Sequence, residues 1–332
     1  MTQRNLFQTT MCFALVLLLF GCSTKRLEPE SKFQVASVGL NAGAFSDDGQ
    51  YAIVGSVHHG ISLWRTKDME RLFDWNHKKN ELTTLVAADF SPDGKWALTA
   101  DVHTLVLWNV DTGEAPRFWR APGAILSVQL SNDGDTALLG LSDHTAVLFD
   151  IKRGGVLRTL NHANRVRSVA LSDNGKYAVT GSEDYRALYW DLENDTAVSK
   201  QLHEDDVQLV AISDDGATAF SMSKYDKALL WTTKDGQVVG ELPLHAERLK
   251  RGLLFVSARF GSEGKYLLTG RPDQIVSLWD VKGLSLIWEW EIPKKNAWKP
   301  TSASVLDVAF VDEHTLLALA SNGYIHTLRI PK

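Results

Sequence analysis

One short motif, an apolar residue followed by Ser-x-Asp-Gly, returns at nearly constant spacing along the chain. A chain built this way buries its core between neighbouring copies, not inside any single copy. The motif appears as Phe45-Ser46-Asp47-Asp48-Gly49, then as FSPDGK at 90–95, LSNDGD at 130–135, LSDNGK at 171–176, ISDDGA at 212–217 and FGSEGK at 260–265. A worn seventh copy, FVDEHT, occupies 310–315. The glycines lie 45, 40, 41, 41 and 48 residues apart. A second landmark, Trp64, Trp108, Phe149, Trp190, Trp231, Trp279 and Leu328, keeps the same period independently.

Each copy has the same local physics. An alternating run such as Val166 to Leu171 has the period of a strand. In the tetrapeptide that follows, Asp or Asn starts a turn and Gly supplies the positive φ of a tight hairpin. His314 takes the glycine place in the last copy, as a residue that tolerates that region. A second strand (Tyr177 to Gly181), a third ending at the Trp and a fourth (Ala197 to Leu202) complete the unit. Four strands in about 42 residues make one propeller blade.

The stretch HANRVRSVALSDNGKYAVTGSEDYRALYWD, 162–191, resembles a WD-repeat. The resemblance implies an all-β, seven-bladed WD-repeat β-propeller over 33–332, closed by an N-terminal strand at Phe33 to Val35 that completes the last blade. It also implies a buried structural tetrad of His, Ser/Thr, Asp and Trp in each blade. The fourth copy matches with His162, Thr180, Asp184 and Trp190. The fifth matches with His203, Ser221 and Trp231, with Tyr225 in the Asp place, and the sixth with His245, Thr269, Asp273 and Trp279. The second keeps His77 and Trp108, the third keeps Asp143 but has Ala121 and Phe149, and the first has His58 in the Asp place.

Length variation singles out one face. The distance from the Ser-type to the Trp-type position is 17 or 18 in every copy, whereas from Trp to the next Ser it ranges from 23 to 32. The additions follow the His, in the loop leading to the next inner strand, at roughly 77–84, 245–254 and 293–304. Insertions on one rim of a repeat scaffold mark where partners bind. Two of the inserts carry Arg248, Lys250, Arg251, Lys295, Trp298 and Lys299. Arg165, Tyr185, Arg186, Lys224 and Tyr225 should share their rim. Arg, Tyr and Trp are favoured interface anchors, so these eleven residues are the candidate partner-binding set. The expected partners are proteins of the envelope.

The N-terminus adds an address. Arg4 precedes an apolar run from Met11 to Phe20, too short to span a bilayer but the right size for a signal peptide over 1–21. Gly21-Cys22 resembles the lipobox of bacterial lipoproteins. That resemblance implies that Cys22 is S-acylated and becomes the first mature residue, followed by a lipidated tether over 22–32. Ser23, where an Asp would retain the protein at the inner membrane, points to the outer membrane. The acyl chains supply a membrane anchor.

Composition narrows the chemistry. Cys12 and Cys22 are the only cysteines, so the body holds no disulfide scaffold, cysteine metal site or cysteine nucleophile. The net charge is −5, against a nucleic-acid binder, which needs a clustered positive field. No GxSxG, HExxH, P-loop or dinucleotide fingerprint occurs. The inner strands read as mostly apolar or small, with Leu126, Val256 and Leu306 as examples. The doublets Asp47-Asp48, Asp205-Asp206 and Asp214-Asp215 read as turn formers. The expectation is a monomeric, non-catalytic interaction platform without cofactor, catalytic residue or metal. An enzyme with its site in the central funnel, or a purely structural envelope component, are the alternatives.

Overall fold

The computed structural model describes residues 26–194, 196–225, 227–243, 255–261, 264–295 and 303–331, and all helical or strand structure among them is β. A short strand, β1 (Ser31–Gln34), precedes blade one, which is β2 (Leu40–Phe45), β3 (Tyr51–Ser56), β4 (Gly60–Arg65) and β5 (Glu70–Asp74). Blade two is β6 (Ala87–Phe90), β7 (Trp96–Ala100), β8 (Thr104–Asn109) and β9 (Arg117–Arg120). Blade three is β10 (Ile125–Leu130), β11 (Thr136–Leu141), β12 (Thr145–Asp150) and β13 (Val156–Asn161). Blade four is β14 (Val166–Leu171), β15 (Tyr177–Ser182), β16 (Arg186–Asp191) and β17 (Thr196–Leu202). Blade five is β18 (Val207–Ile212), β19 (Thr218–Ser223), β20 (Ala228–Thr232) and β21 (Val238–Glu241). Blade six is β22 (Ser257–Gly261), β23 (Tyr266–Gly270), β24 (Ile275–Asp280) and β25 (Ser285–Glu291). Blade seven takes β26 (Val305–Phe310), β27 (Thr315–Ala320) and β28 (Tyr324–Arg329).

Six sheets use consecutive strands, and the seventh runs β1-β28-β27-β26. The N-terminus therefore supplies the outer strand of the last blade, with Ser31 opposite Thr327 and Gln34 opposite Tyr324. The strand begins two residues before the expected Phe33. Upstream of it, Leu27 pairs in parallel with Trp290 on the outer strand of blade six. Residues 27–32 are thus held to the propeller by backbone bonds, which corrects the expectation of a tether running through 32.

The Ser-x-Asp-Gly hairpins show why the motif repeats. In blade four the Ser172 hydroxyl donates to Asn174 Oδ1 at 2.8 Å and accepts from the Tyr177 N–H at 3.1 Å. Gly175 closes the turn at φ +68°. Blade seven departs from this pattern. His314 does not take a left-handed conformation. Asp312 instead accepts from the His314 N–H at 2.8 Å and the Thr315 hydroxyl at 2.8 Å, closing the turn from the side.

Core forms between blades as well as within them. The second strands are buried on both faces, and Trp75, Trp231 and Trp290 are fully buried. Cluster after cluster joins residues of adjacent sheets, as Leu138, Ala146 and Leu160 of blade three join Val166 and Trp190 of blade four. Close approach depends on Gly140: a Cβ there would stand 2.8 Å from the Val166 carbonyl oxygen of the next inner strand. Because backbone cannot swing aside, Gly140→Ala should cost about 1–3 kcal/mol as an overpacking change, read as a lowered midpoint in thermal or urea unfolding.

Candidate interaction rim and central channel

The most complete tetrad is in blade four. The Trp190 indole N–H donates to Thr180 Oγ1 at 2.8 Å, and that hydroxyl lies 2.7 Å from His162 Nε2. His162 Nδ1 is 3.0 Å from Asp184 Oδ2, which also accepts the Ala163 N–H at 3.0 Å. Burial pushes the His162 imidazole below its usual range, against the pull of Asp184. Asp184 stays below the usual carboxylate range: burial opposes this, and the Ala163 N–H and His162 outweigh it. A neutral imidazole with Nδ1–H toward Asp184 and Nε2 accepting from Thr180 satisfies every polar group in the chain. The arrangement resembles a catalytic triad in its parts, yet His162 and Asp184 are sealed at 0% and 5% side-chain exposure. It is a structural node.

Blade two holds a second node that the sequence reading left incomplete. Trp108 donates to Thr99 Oγ1 at 2.8 Å, and Thr99 lies 2.9 Å from His77 Nε2. Its shorter turn brings Thr104 Oγ1 to 3.0 Å from His77 Nδ1, with the Asp101 carboxylate behind at 3.7 Å. The Asp stands two places after the Thr instead of four, one place more than the single missing residue explains, which hid it from pattern matching. In blade five His203 Nε2 and the Trp231 indole both reach Ser221 Oγ, at 3.0 and 3.2 Å.

Blade six differs. Trp279 donates to Thr269 at 2.9 Å, but Asp273 is half exposed and forks onto Arg271, with Nε to Oδ1 at 2.8 Å. Arg271 stands where blade four has Ser182, and its guanidinium claims the carboxylate. His245 lies outside the described residues. Blades one, three and seven place Val54, Leu139 and Ala318 in the Thr position. Trp64 consequently turns to Ser62 of its own strand, at 2.9 Å.

The turns between second and third strands and the loops between blades lie on one rim: His162 meets Asp184, Lys224 N–H donates to Asp206 O at 2.9 Å, and Asn322 Nδ2 donates to Pro293 O at 3.3 Å. Tyr185 and Tyr225 present themselves there, 48% and 53% exposed. Tyr185 adopts φ +69°, a left-handed conformation costly for a bulky residue, fixed by flanking hydrogen bonds at Ser182 and Arg186. Lys224 lies over the Tyr225 ring at 5.2 Å. Arg165 is within 3.7 Å of Glu183, whose carboxylate also binds Arg167.

Lys295 does not join this group. It is bonded to the Ser37 carbonyl and lies over Tyr324 at 5.7 Å, beside blades one and seven. The turn and loop candidates thus belong to blades four and five, and Lys295 lies apart from them at the seam. Cys22, Arg248, Lys250, Arg251, Trp298 and Lys299 lie outside the described residues.

The channel corrects the reading of the inner strands as mostly apolar or small. Five inner strands carry a register shift near their start, in blades one, three, four, five and seven. The extra residues, Asn41, Leu126, Arg167, Gln208 and Leu306, line a channel of about 600 Å³. With them stand Asp47, Asp89, Asp173, Asp214, Arg259 and Asp307. Within the doublets, Asp48 and Asp215 do form the turns, while Asp47 and Asp214 line the channel mouth.

Arg259 of blade six reaches Asp47 Oδ1 at 2.7 Å and Phe45 O at 3.1 Å in blade one, and Asp307 Oδ2 at 3.3 Å in blade seven. Asp307 also accepts the Phe45 N–H at 2.7 Å. Asp89 accepts from Leu130 N–H at 2.7 Å and Gln129 at 2.8 Å in blade three. Burial pushes Asp89 up to about 8, against those hydrogen bonds. Burial, with the charges of Asp214 and Asp47, pushes Asp173 to about 6. Asp89 and Asp307 thus act as acceptors that tie one blade to another. Among the described residues no three His, Cys, Asp or Glu side chains gather as metal ligands would.

Comparison with known proteins agrees with the architecture. Residues 154–191 match the family model described as WD domain, G-beta repeat. The eukaryotic translation initiation factor 3 subunit I of Aspergillus terreus is 33% identical over 95 residues, 28% of this chain and 27% of that protein. The protein of the same name from Aspergillus oryzae is 30% identical over 100 residues, 30% of this chain and 29% of that protein. The chain thus spans less than a third of the length of these curated relatives. Fold and matched repeat together define a seven-bladed propeller with WD-type repeats.

Two predictions follow the geometry. Asp184→Ala strands the Ala163 and His162 donors and should lower stability by about 1–3 kcal/mol, visible as an earlier thermal midpoint. Asp89→Asn keeps an acceptor for Leu130 but removes the titration. The raised value of Asp89 makes its contribution present at low pH and lost as pH rises from 4 through 8. The variant should therefore match wild type near pH 4 and exceed it increasingly toward pH 9; parallel midpoint–pH curves would contradict this.

Proposed function

We propose that this protein is a non-catalytic interaction platform whose long-loop rim receives other proteins, anchored through acylated Cys22 to a bacterial envelope membrane and facing the periplasm. The observation that carries the platform reading is the confinement of length variation to connections of one rim, beside exposed Tyr185 and Tyr225. A propeller preorganises such loops, so a partner binds with little ordering cost. The anchor and the envelope address rest on the apolar run 11–20 and Cys22 alone. The names of the fungal relatives, subunits of a multi-subunit factor by their printed description, fit a propeller that works by holding other proteins. A soluble assembly subunit is therefore the second reading. An enzyme of the funnel is a third, since carboxylates do converge there. Against it, Asp89 and Asp307 already serve the neighbouring blades.

The address is tested by fractionation: Cys22→Ala should move the protein from membrane to soluble fraction and abolish incorporation of labelled palmitate. Equal distribution of variant and wild type would favour the soluble subunit. The rim is tested by photo-crosslinkers placed at Tyr185 and Tyr225, and at Asn132 on the opposite hairpins. A discrete adduct should form from the rim positions alone, and Tyr225→Ala with Arg186→Ala should weaken its formation about thirtyfold if these side chains are anchors worth ~2 kcal/mol. Equal adducts from both faces would sink the rim assignment.

A further inference from the structure

We propose that His326 and the segment covering it, residues 26–34, form an acid-sensitive latch at the seam of the ring: the neutral imidazole is sealed beneath the segment, and a protonated one drives the segment off blades six and seven. His326 is on β28, opposite Lys32 of β1 and Ala318 of β27, and is 0% exposed. Neither of its ring nitrogens has a hydrogen-bond partner. Leu328, two residues along the same strand face, packs with Leu268 and Trp290 of blade six, so His326 looks into the crevice between blades six and seven. That crevice, about 570 Å³, is roofed by residues 26–32 and edged by Glu291 and Pro293.

The charged and titratable groups around the crevice are Lys32 of β1, Arg26, Glu28 and Glu30 of the roof, and Glu291 of β25. Tyr324 lies on its own strand, with ring centroids 6.1 Å apart. β27 presents the neutral Ala318. Two of the carboxylates are engaged: Glu30 with Arg329 at 2.8 Å, and Glu291 with Arg26 at 3.6 Å. Lys32 and Lys295 both sit over the Tyr324 ring, at 5.4 and 5.7 Å. A charged His326 would thus bury two unsatisfied donors beside Lys32, a cost far above that of the neutral ring.

The covering segment is the cheapest part to move. All four residues of β1 are exposed, and β1 pairs on one side only. Upstream, the segment is held by the Leu27 bridge and side chain, by Arg26 on Glu289 and Glu291, and by Glu30 on Thr327 and Arg329. Such weakly packed edges open locally without global unfolding.

Burial, with Lys32 beside it, pushes His326 down from 6.5 to about 4. Its value when sealed is below its value when open. The closed state is therefore fully favoured above about 6.5 and is lost as pH falls toward 4. This linkage amounts to an increase of about thirtyfold in the opening equilibrium between pH 8 and pH 5.

Hydrogen exchange, corrected for intrinsic rates, tests this in the full chain. Protection of the amides of 27–36 should fall about thirtyfold between pH 8 and pH 5 in wild type, while Val166–Leu171 of blade four holds constant. In His326→Phe the fall should vanish. An equal fall in that variant, or none in wild type, overturns the latch. Should the variant fold poorly, the ring protons of His326 in wild type decide by NMR: a titration midpoint below 5 supports the latch and one between 6 and 7 refutes it.

Discussion

Closure of the ring is the constraint on which everything else rests. A blade cannot bury both of its faces alone, so each sheet is stable only between two neighbours. The seam between blades seven and one is the single place where chain continuity does not enforce that contact. Two devices secure it. On the outside β1 zips onto β28, so the last sheet is made from both ends of the propeller. On the inside Arg259 spans blade seven to grip Asp47 and the Phe45 carbonyl of blade one, while Asp307 takes the Phe45 N–H. The charge is paired and hydrogen-bonded where it is sheltered, the condition under which a sheltered ion pair is tolerated.

The blades do not share their polar support evenly. Blades four and two carry hydrogen-bond chains running from Trp through Thr to His, and blade five carries a partial one. Blades one, three and seven replace the hydroxyl with Val54, Leu139 and Ala318 and depend on packing. Apolar clusters join adjacent sheets all round the ring. A weaker blade is therefore braced by its neighbours. The seam is braced by the N-terminal segment, and His326 is the least satisfied polar side chain in that region.

The two faces of the ring have different work. The hairpin face carries the Ser-x-Asp-Gly turns, whose serines are all but buried in blades one, two, four and five; its freedom is spent on making turns. The opposite rim carries the variable connections and a tyrosine held in a strained conformation. Strain of that kind persists where the surroundings over-determine it, and His144 and Gln274 take the same conformation at the matching turns of blades three and six, so it belongs to the blade turn.

The sequence alone determined the number of blades, the strand order within each and the hairpin chemistry. All of these follow from short-range rules: period-two alternation, turn residues and landmarks a fixed distance apart. Tertiary structure decided the rest. A register shift turns Arg167 and Gln208 into the channel, yet nothing in an alternating pattern marks which residue will be the extra one. Asp89, Asp307 and Arg259 look like ordinary strand residues until three blades are brought together. Asp101 was obscured by a turn one residue short, and Asp273 was drawn away by Arg271, a neighbour two residues off whose reach only coordinates reveal. Local pattern fixes what each segment becomes, but which side chains meet depends on distances closed by the ring, and a linear text does not contain them.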